Sequence, residues 1–410
     1  MKYLKILIVI AITVISCKEM KDETVKTNSK SIPSTISIDG KQPFLFSNGN
    51  KLFMSFTQKV NDSAHVVKFS KLESEKWTET IEIARGDDWF VNWADFPAIA
   101  ENNGNIATHF LQKSDPATFA YDVHLKLSND HGQHWNDDFL LHTDSTKTEH
   151  GFVTILPYKE DAFFATWLDG RNTGGGGHGE NGHSSSGAMN IRTATISKTG
   201  EVIDDTLVDA KTCDCCQTSA AITPKGPIIV YRDRTDEEVR DIYISRLLDG
   251  SWTIPKSINN DNWVIDGCPV NGPKAASYNS TLAIAWFTAA NNIPKVNVVF
   301  SGDSGASFDK PIQIDNDKPM GRVDIALLDE NNALVSWMES TKNDAEIKAM
   351  KVSKGGEKQE PIVISTISAS RASGFPQLEL VNDKVYVAWN HIEGDKVTIK
   401  VKEMHIDDFK

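Results

Sequence analysis

A short β-patterned run with an aromatic residue or a histidine near its end recurs along this chain. Seven such runs can be aligned, and their equivalent residues are Phe56, His109, Trp167, Tyr231, Trp286, Trp337 and Trp389. Successive members are separated by 51 to 64 residues. Seven repeats of this length predict a fold assembled from seven copies of one supersecondary unit.

Each repeat contains further β-patterned runs around the aligned one. Alternating runs precede it, as at 97–100 and 218–222, and others follow it, as at 123–127 and 296–300. A fourth, shorter run closes the repeat, as at 311–315. Four strands per repeat, with almost no helical periodicity, predict an all-β fold: a seven-bladed β-propeller of four-stranded blades.

The seventh repeat ends after its third run, at 398–402. The segment 33–39, at the other end of the globular region, matches 310–315 in pattern. We therefore expect this N-terminal strand to pair with the last blade, because such pairing closes the ring and leaves no open sheet edge.

The N-terminus is typical of an export signal. Lys2 and Lys5 lie before the apolar run at 6–12. Residues 1–16 are too few to span a bilayer comfortably. The residues 14–17 end in Cys17 and resemble the lipobox of bacterial lipoproteins, which implies that Cys17 is acylated. The alternative is an ordinary secretory signal with an incidental cysteine.

The domain organisation follows from this start. Residues 1–16 are predicted to be a lipoprotein signal peptide, 17–32 a lipidated flexible tether, and 33–410 the propeller, since 18–30 is polar and nearly free of large apolar side chains. We expect a monomer in the cell envelope, facing the periplasm or the cell surface, that contacts the membrane through its lipid only.

The charge balance restricts the partners. The chain has 43 lysine and arginine residues against 56 acidic ones, a formal charge of -13. This excess of acid argues against nucleic acid and against anionic lipid as bulk electrostatic partners. An anionic ligand must therefore meet a local cluster of arginines.

Two turns resemble the Asp box of sialidase-like propellers. The segments 128–135 and 301–308 both fit Ser-x-Asp-x-Gly-x-x-aromatic, and 70–77 and 245–252 are degenerate copies. The chain thus resembles the sialidase-like superfamily over nearly all of 33–410. More narrowly, it is similar to bacterial exported exo-α-sialidase-like lipoproteins with a Cys-Asp-Cys-Cys motif, through the segments 167–171, 213–218, 231–234, 267–273 and 371–376.

That resemblance implies removal of a terminal sialic acid. Three arginines would hold the sugar carboxylate, a tyrosine assisted by a glutamate would be the nucleophile, and an aspartate the acid/base. The chain departs from well-characterised sialidases in having seven repeats rather than six blades. It also has Gln42-Pro43-Phe44-Leu45 where they carry a Phe/Tyr-Arg-Ile-Pro motif.

Unusual residues are concentrated in the loops that enter each inner strand and those that join the second strand to the third. In a propeller these loops share one face. The candidate catalytic carboxylates there are Asp95, Asp169 and Asp233, since glycoside hydrolysis commonly uses two. The candidate substrate-binding residues are Arg171, Arg232, Arg234, Arg322 and Arg371, whose guanidinium groups match carboxylates or sulfates bidentately. The alternative is that these charges form structural ion pairs between blades, and that Tyr231, the available phenol, packs in the core.

Four cysteines remain after Cys17, and all fall on this face in the fourth and fifth repeats: Cys213, Cys215, Cys216 and Cys268. In an exported protein an even number favours disulfides, with an inner bridge from Cys213 to Cys216 or Cys215 and a second bridge to Cys268. The competing hypothesis is a thiolate site for copper or zinc, assisted by His178 and His183 in the glycine-rich loop 174–183. That loop could equally be a mobile lid.

These features predict a sialidase-like glycoside hydrolase of the cell envelope that acts on a terminal acidic sugar of a glycan. The alternatives are a non-catalytic glycan-binding or envelope-assembly propeller, and a metal-binding envelope protein that uses the cysteine cluster.

The anchoring hypothesis is tested by Cys17→Ser. We expect this variant to remain unacylated and to leave the membrane fraction, because the lipid is the only predicted membrane contact. Partition of the two proteins between membrane and soluble fractions is the measurement, and unchanged partition would contradict the anchor.

Overall fold

A computed structural model describes residues 35–173 and 187–410. The predicted signal peptide and the whole of the tether, with Cys17, lie outside these residues, as do His178 and His183. Within the described part of the chain, no helix is both long enough and apolar enough to cross a membrane.

The regular secondary structure of the described residues is almost entirely β-strand. In chain order, the first strands are β1 (Thr35–Asp39), β2 (Lys41–Ser47), β3 (Leu52–Lys59), β4 (His65–Glu73), β5 (Lys76–Trp77), β6 (Ile81–Gly86), β7 (Ile99–Asn102), β8 (Asn105–Lys113), β9 (Tyr121–Ser128), β10 (Phe139–Leu140), β11 (His150–Tyr158), β12 (Ala162–Asp169), β13 (Asn190–Ile196), β14 (Val202–Asp209) and β15 (Ser219–Thr223). They are followed by β16 (Gly226–Arg232), β17 (Ile242–Leu248), β18 (Ser251–Trp252), β19 (Lys256–Ser257), β20 (Lys274–Tyr278), β21 (Thr281–Thr288), β22 (Lys295–Ser301), β23 (Ile312–Gln313), β24 (Pro319–Leu327), β25 (Asn332–Ser340), β26 (Ala345–Ser353), β27 (Ile362–Ile367), β28 (Gln377–Val381), β29 (Lys384–Glu393) and β30 (Lys396–His405). Three short 3₁₀ segments are found at Ala290–Asn292, Arg371–Ser373 and Ile406–Asp408.

These strands form seven antiparallel sheets, so the prediction of a seven-bladed propeller is confirmed. Blade 1 contains β2 to β6, blade 2 β7 to β10, blade 3 β11 to β14, and blade 4 β15 to β19. Blade 5 contains β20 to β23, blade 6 β24 to β27, and blade 7 β28 to β30 together with β1. The first strand of every blade contacts the first strands of both neighbouring blades, and these seven strands form the inner ring around the axis.

The closure of the ring is also confirmed. Strand β1 pairs antiparallel with β30, with Thr35 opposite Lys402 and Ile38 opposite Ile399. The first strand of the domain thus supplies the outer strand of the last blade. The half-buried Ile36 and Ile38 pack against the hydrophobic core between blades 7 and 1.

The aligned aromatic column lies in the second strands, and all seven of its members are at least 97% buried. Several of their polar tips point at acidic side chains. The Nε1 atoms of Trp167, Trp286 and Trp337 donate to carboxylates of Asp169, Asp261 and Glu339 at 3.0, 2.7 and 3.0 Å. A buried carboxylate that accepts an indole N–H is therefore a recurrent structural device here.

The Asp boxes have the predicted turn geometry. In blade 2, Asp130 Oδ1 accepts the backbone N–H groups of Gln133 and His134, at 3.0 and 2.9 Å. Gly132 has a φ of +85°, and an added Cβ would overlap the ring of Phe69. The turn therefore needs glycine both for its conformation and for its close packing.

We expect Ile38→Ala to destabilise the propeller by about 1 to 2 kcal/mol, less than the full cost of a buried isoleucine because Ile38 is only half-buried. Thermal or denaturant unfolding measures this. The control is Ser37→Ala, an exposed neighbour in the same strand that should have little effect. Equal stability of the two variants would show that β1 does not hold the ring closed.

Candidate functional site

The entry to each inner strand and the exit from each second strand lie at the same end of a blade, because the two strands are antiparallel. His150 and Asp169, for example, are paired at the top of β11 and β12. We call this end the upper face. Every predicted site residue that the structure describes belongs to it.

A pocket of about 390 Å³ opens on the upper face, and we call it the aromatic pocket. It is lined by Phe90, Asn92, Trp93, Ala94, Phe119, Tyr121, Glu149, Phe152, Cys215, Asp266, Gly267, Cys268 and Val270. These residues come from blades 2 to 5 and from the loop between blades 1 and 2. Two carboxylates and no arginine or lysine are found among these lining residues.

Tyr121 and Glu149 form the polar part of the pocket wall. The Tyr121 hydroxyl donates to Glu149 Oε1 at 2.5 Å, and Phe90 stacks on the Tyr121 ring with centroids 4.0 Å apart. Burial, then the charge of Glu149, raises the pKa of Tyr121 well above its ordinary value. The phenol is therefore neutral, and its proton is already directed at a carboxylate that can accept it.

The backbone around Glu149 is fixed by a close approach. Gly170 N–H donates to the Glu149 carbonyl oxygen at 2.8 Å. A Cβ atom at Gly170 would lie 2.6 Å from that oxygen. The glycine of the Trp167–Arg171 segment thus allows blade 3 to position Glu149 beside the pocket.

Three inner strands begin with a β-bulge at the upper face. The bulged residues are Gln42, Phe152 and Arg322, with φ values of 59°, 54° and 52°. In each case a side chain of another blade accepts the N–H that the bulge exposes. The acceptors are Asn390 Oδ1 at 2.9 Å, Asp95 Oδ2 at 2.7 Å and Asn271 Oδ1 at 2.7 Å, respectively. Bulges of this kind redirect side chains, here Phe152 into the pocket and Arg322 towards its rim.

Asp95 therefore has a defined structural contact. Its carboxylate holds the Phe152 bulge, is buried, and lies 3.9 Å from His109 Nε2. Asp95 is not among the described lining residues of the aromatic pocket. It lies close behind Gly151, since a Cβ atom added there would overlap Asp95 Oδ2 and would lie 3.3 Å from the Tyr121 ring.

Asp169 and Arg171 belong to a buried charge network. Asp169 is fully buried and accepts from Arg171 Nε and Nη2, both at 2.7 Å. His150 Nε2 lies 3.3 Å from Asp144 and 3.8 Å from Asp169. The ring of His142 stacks on that of His150 at 3.6 Å, with an interplanar angle of 3°. Two parallel stacked imidazoles cannot both direct an in-plane nitrogen at one metal ion, which argues against a metal site that uses His142 and His150 together. Asp144, His150 and Asp169 also lie within metal-ligand range, but both Asp169 oxygens already accept from Arg171, so we describe the network as an ion-pair cluster.

The pKa values of His150 and Asp169 are shifted by burial and by the other charged groups of this network. Burial lowers the pKa of His150, but a hydrogen bond with Asp144 and the charges of Asp169, Asp144 and Asp122 raise it overall. Burial opposes ionisation of Asp169, yet the hydrogen bond from Arg171 and the charge of His150 hold its pKa below the usual range. The charged forms are therefore the stable ones in the folded state.

Asp233 lies in a different environment. It is buried, and burial together with the charge of Asp209 raises its pKa to about 7. Nearby, Tyr231 is 1% exposed and donates to Asp209 at 2.5 Å, so this phenol is held within the core. The predicted carboxylates Asp95, Asp169 and Asp233 thus occupy three separate positions, none of them among the described lining residues of the aromatic pocket.

Two of the predicted arginines are committed to the fold. Arg232 is buried and donates to the backbone oxygens of Asn271, Arg240 and Phe287, with its guanidinium over the Trp263 ring at 4.8 Å. Arg234 is paired with Glu238 at 2.7 Å and with Asp214 at 3.2 Å.

Arg322 and Arg371 lie together near the rim of the aromatic pocket. Their guanidinium carbons are 5.1 and 5.9 Å from the centre of the Trp93 ring. Arg322 donates to the Gly374 carbonyl oxygen at 2.9 Å, and neither arginine forms an ion pair with any residue the structure describes. Burial and the charge of Arg371 lower the pKa of Arg322 to about 10. The pair is a local excess of positive charge on an acidic protein.

The four cysteines are brought together between blades 4 and 5, and all four are free in this structure. The predicted disulfides are therefore not formed here. Cys213 Sγ nevertheless lies 2.9 Å from Cys216 Sγ, the ligand atoms of Cys213, Cys215 and Cys216 all lie within 4.8 Å of one another, and Cys215 and Cys268 both line the aromatic pocket. Burial opposes ionisation of Cys213, but hydrogen bonds from the other two thiols and the charge of Arg240 hold its pKa well below the ordinary value.

The axis of the propeller holds a smaller cavity of about 110 Å³. Lys274, Asp324 and Glu379 project into it, and Lys274 Nζ is 3.9 Å from Asp324. Burial and the charge of Asp324 raise the pKa of Glu379 to about 8.

Comparison with known proteins identifies the fold. No family model matches the chain, and a search of curated proteins finds no match. Among solved structures, the polysaccharide lyase Uly1 matches with a TM-score of 0.50 and 11% identity over 90% of both chains. The phage phi92 endosialidase matches with a TM-score of 0.50 and 8% identity, over 91% of this chain and 69% of that one. At these identities the similarity shows a shared sialidase-like propeller fold, which confirms the fold predicted from the Asp boxes.

Sequence reasoning missed Tyr121, Glu149 and the aromatic residues of the pocket. A usable signal was present in 87–95, where Trp89, Phe90 and Trp93 occur in a loop between predicted strands. Aromatic residues in a loop need a packing partner or a ligand, and here Phe90 and Trp93 line the pocket.

The charge network predicts a pH dependence. Because the pKa of His150 is raised in the folded state, its stabilising contribution is complete below the ordinary histidine pKa of 6.5 and is lost as the pH rises through the raised value. We expect His150→Asn to lower the free energy of unfolding more at pH 5.5 than at pH 9. Denaturant unfolding across this range is the measurement. The control is His391→Asn, at a half-exposed position of blade 7; the hypothesis fails if His150→Asn costs the same at every pH.

Proposed function

We propose that this protein is a glycoside hydrolase of the cell envelope that acts on a terminal acidic sugar bound in the aromatic pocket. The observation that carries the proposal is the 2.5 Å hydrogen bond from the Tyr121 hydroxyl to Glu149 at the wall of that pocket. A phenol directed at a buried carboxylate is a nucleophile paired with a base, the arrangement that covalent catalysis requires.

The walls of the pocket suit a sugar ring. Phe90, Trp93 and Phe119 present aromatic surface, and the apolar face of a pyranose packs well on such surfaces. Asn92 Nδ2 can donate to a sugar hydroxyl, whereas Asn92 Oδ1 already accepts the backbone N–H groups of Ala94 and Asp95. The polysaccharide lyase and the endosialidase that share the fold are both named for action on glycans.

Arg322 and Arg371 supply the acidic specificity. Both guanidinium groups lie within 6 Å of the centre of the Trp93 ring, without a carboxylate partner among the described residues. A carboxylate or sulfate on the sugar would be bound there by charge-assisted hydrogen bonds while the ring lies against Trp93. The exposed Arg371 is the one that a ligand reaches first.

The proposed chemistry uses residues of the same pocket. Tyr121 Oη attacks the anomeric carbon while its proton passes to Glu149. Asp266, which lines the pocket from the loop before β20, protonates the departing oxygen and later takes a proton from the water that attacks the anomeric carbon. The bond from that carbon to Tyr121 Oη then breaks, and Glu149 returns its proton to Tyr121. Asp95 holds the Phe152 bulge and so positions the pocket wall rather than touching substrate.

The location in the envelope depends on the predicted lipid on Cys17. A tether of the predicted length would hold the propeller close to the membrane, where glycans of the cell surface or the periplasm are within reach.

A second function, glycan binding without turnover, is favoured by one observation. The side chain of Tyr121 is fully buried, so a ligand that only fills the pocket would not contact its hydroxyl. Attack requires that Phe90, which covers the ring of Tyr121, moves when the substrate binds.

We expect Tyr121→Phe to reduce turnover of fluorogenic umbelliferyl glycosides of sialic or glucuronic acid by about 10²- to 10⁴-fold with little change in affinity. The full chain is assayed, and binding is measured by calorimetry with the matching free sugar acid. Tyr158→Phe is the matched control, because Tyr158 is a blade 3 tyrosine outside the aromatic pocket. Binding without turnover in the unmodified protein would select the second function, and neither binding nor turnover would exclude both.

We expect Arg371→Ala to weaken binding of the acidic sugar by about 10- to 100-fold, the loss of one charge-assisted hydrogen bond. It should leave binding of a neutral sugar unchanged. Arg85→Ala, which removes an exposed arginine of blade 1, is the control. Equal loss for acidic and neutral sugars would contradict the assignment of Arg371 to the acid group.

A further inference from the structure

The four cysteines form a compact sulfur cluster that the proposed hydrolase does not need. The Sγ atoms of Cys213, Cys215 and Cys216 all lie within 4.8 Å of one another. Cys268, at the entry to the next blade, lines the aromatic pocket together with Cys215. Three thiol sulfurs this close, with a fourth cysteine on the same pocket wall, are typical of a site for a thiophilic ion.

The two segments that carry the sulfurs are held together firmly. Gln217 Oε1 accepts the N–H of Gly272 at 3.1 Å, and Gln217 Nε2 donates to the Ala94 carbonyl oxygen at 2.9 Å. A Cβ atom at Gly272 would overlap the carbonyl oxygen of Gln217. The cysteine turn of blade 4 and the loop that follows Cys268 are therefore in direct backbone contact, which preorganises the sulfurs.

The charge around the cluster suits thiolates. Arg240 is fully buried, donates from Nη1 to Cys213 Sγ at 3.5 Å, and has an Nε atom without a hydrogen-bond partner in the described structure. The buried Arg232 also acts electrostatically on Cys216. A Zn²⁺ ion with four thiolates, or a Cu⁺ ion with three, carries an excess of two negative charges, which the two nearby guanidinium groups offset in part, since Arg240 also pairs with Glu238 at 2.8 Å.

The four cysteines also differ in their exposure to solvent. Cys213 and Cys216 are buried, Cys215 is half-buried and lines the aromatic pocket, and Cys268 is exposed. An ion can thus reach Cys268 and Cys215 from solvent before it contacts the buried pair.

We propose that Cys213, Cys215, Cys216 and Cys268 bind one thiophilic d¹⁰ cation, Cu⁺ or Zn²⁺, between blades 4 and 5. Each thiol that coordinates the ion releases its proton to solvent, and no oxidant is consumed. The bound ion would link two adjacent blades at the edge of the aromatic pocket. The site uses none of the residues to which the hydrolase chemistry is assigned, so its test does not depend on that proposal.

The test titrates the reduced full chain with Cu⁺ and, separately, with Zn²⁺ in the absence of oxygen. We expect one ion per chain by elemental analysis, a thiolate-to-metal absorption band with Cu⁺, and a higher melting temperature in the presence of the bound ion. Competition with a chelator of known affinity gives the dissociation constant for each metal. The tighter-binding metal identifies the ion.

Cys268→Ser and Cys213→Ser should each weaken that binding by at least about 100-fold, since even loss of a ligand's supporting contact costs 10- to 100-fold. Cys268 is exposed, so its variant keeps the core intact and distinguishes loss of a ligand from loss of fold. Cys17→Ser, outside the cluster, is the matched control and should bind metal normally.

Two results would overturn the proposal. One is unchanged metal affinity in the Cys268→Ser variant. The other is protein isolated from the envelope without reductant that contains no metal and two disulfides, Cys213 to Cys216 and Cys215 to Cys268, by mass spectrometry.

Discussion

The pairing of β1 with β30 is the constraint on which the rest of this structure depends. A ring of seven blades has fixed relative positions only when it is closed. The aromatic pocket takes Tyr121 from blade 2, Glu149 from blade 3, Cys215 from the entry to blade 4 and Asp266 from the entry to blade 5. If the ring opened, these elements would keep their own sheets but lose their positions relative to one another.

Local distortions of the inner ring then shape the upper face. The bulges at Gln42, Phe152 and Arg322 each expose a backbone N–H, and a buried amide or carboxylate of another blade satisfies it. An unsatisfied buried N–H is costly, so these contacts hold residues in backbone conformations that they would otherwise avoid. Polar residues that resemble catalytic candidates, Asp95 above all, are used in this way to position the pocket.

The buried charged residues of blades 3 and 4 are likewise bound to partners within the fold. Asp169 accepts from both Trp167 and Arg171, while Arg232 binds three backbone oxygens. In contrast, Arg322 and Arg371 form no ion pair within the described chain. Cys215 and Cys268 belong to the sulfur cluster and also line the aromatic pocket. A ligand bound at either site would therefore change the surface available at the other.

The sequence by itself determined the architecture: seven repeats, four strands in each, the closing strand and the Asp-box turns. These features depend on the spacing of apolar residues and on the residue types of the turns. Both can be read from short stretches of the sequence. The sequence also determined which loops share one face, because strand order alone decides which ends of the blades meet.

The tertiary structure decided which residues on that face act together. Asp95, Asp169 and Asp233 have the residue types of a hydrolase, but their burial and partners depend on bulges and on contacts between different blades. Tyr121 and Glu149 are 28 residues apart and meet only because blades 2 and 3 pack side by side. Periodicity assigns a residue to a strand and a face, whereas the partner of a polar group is set by packing between segments distant in the chain, and that is why the pocket emerged only from the folded propeller.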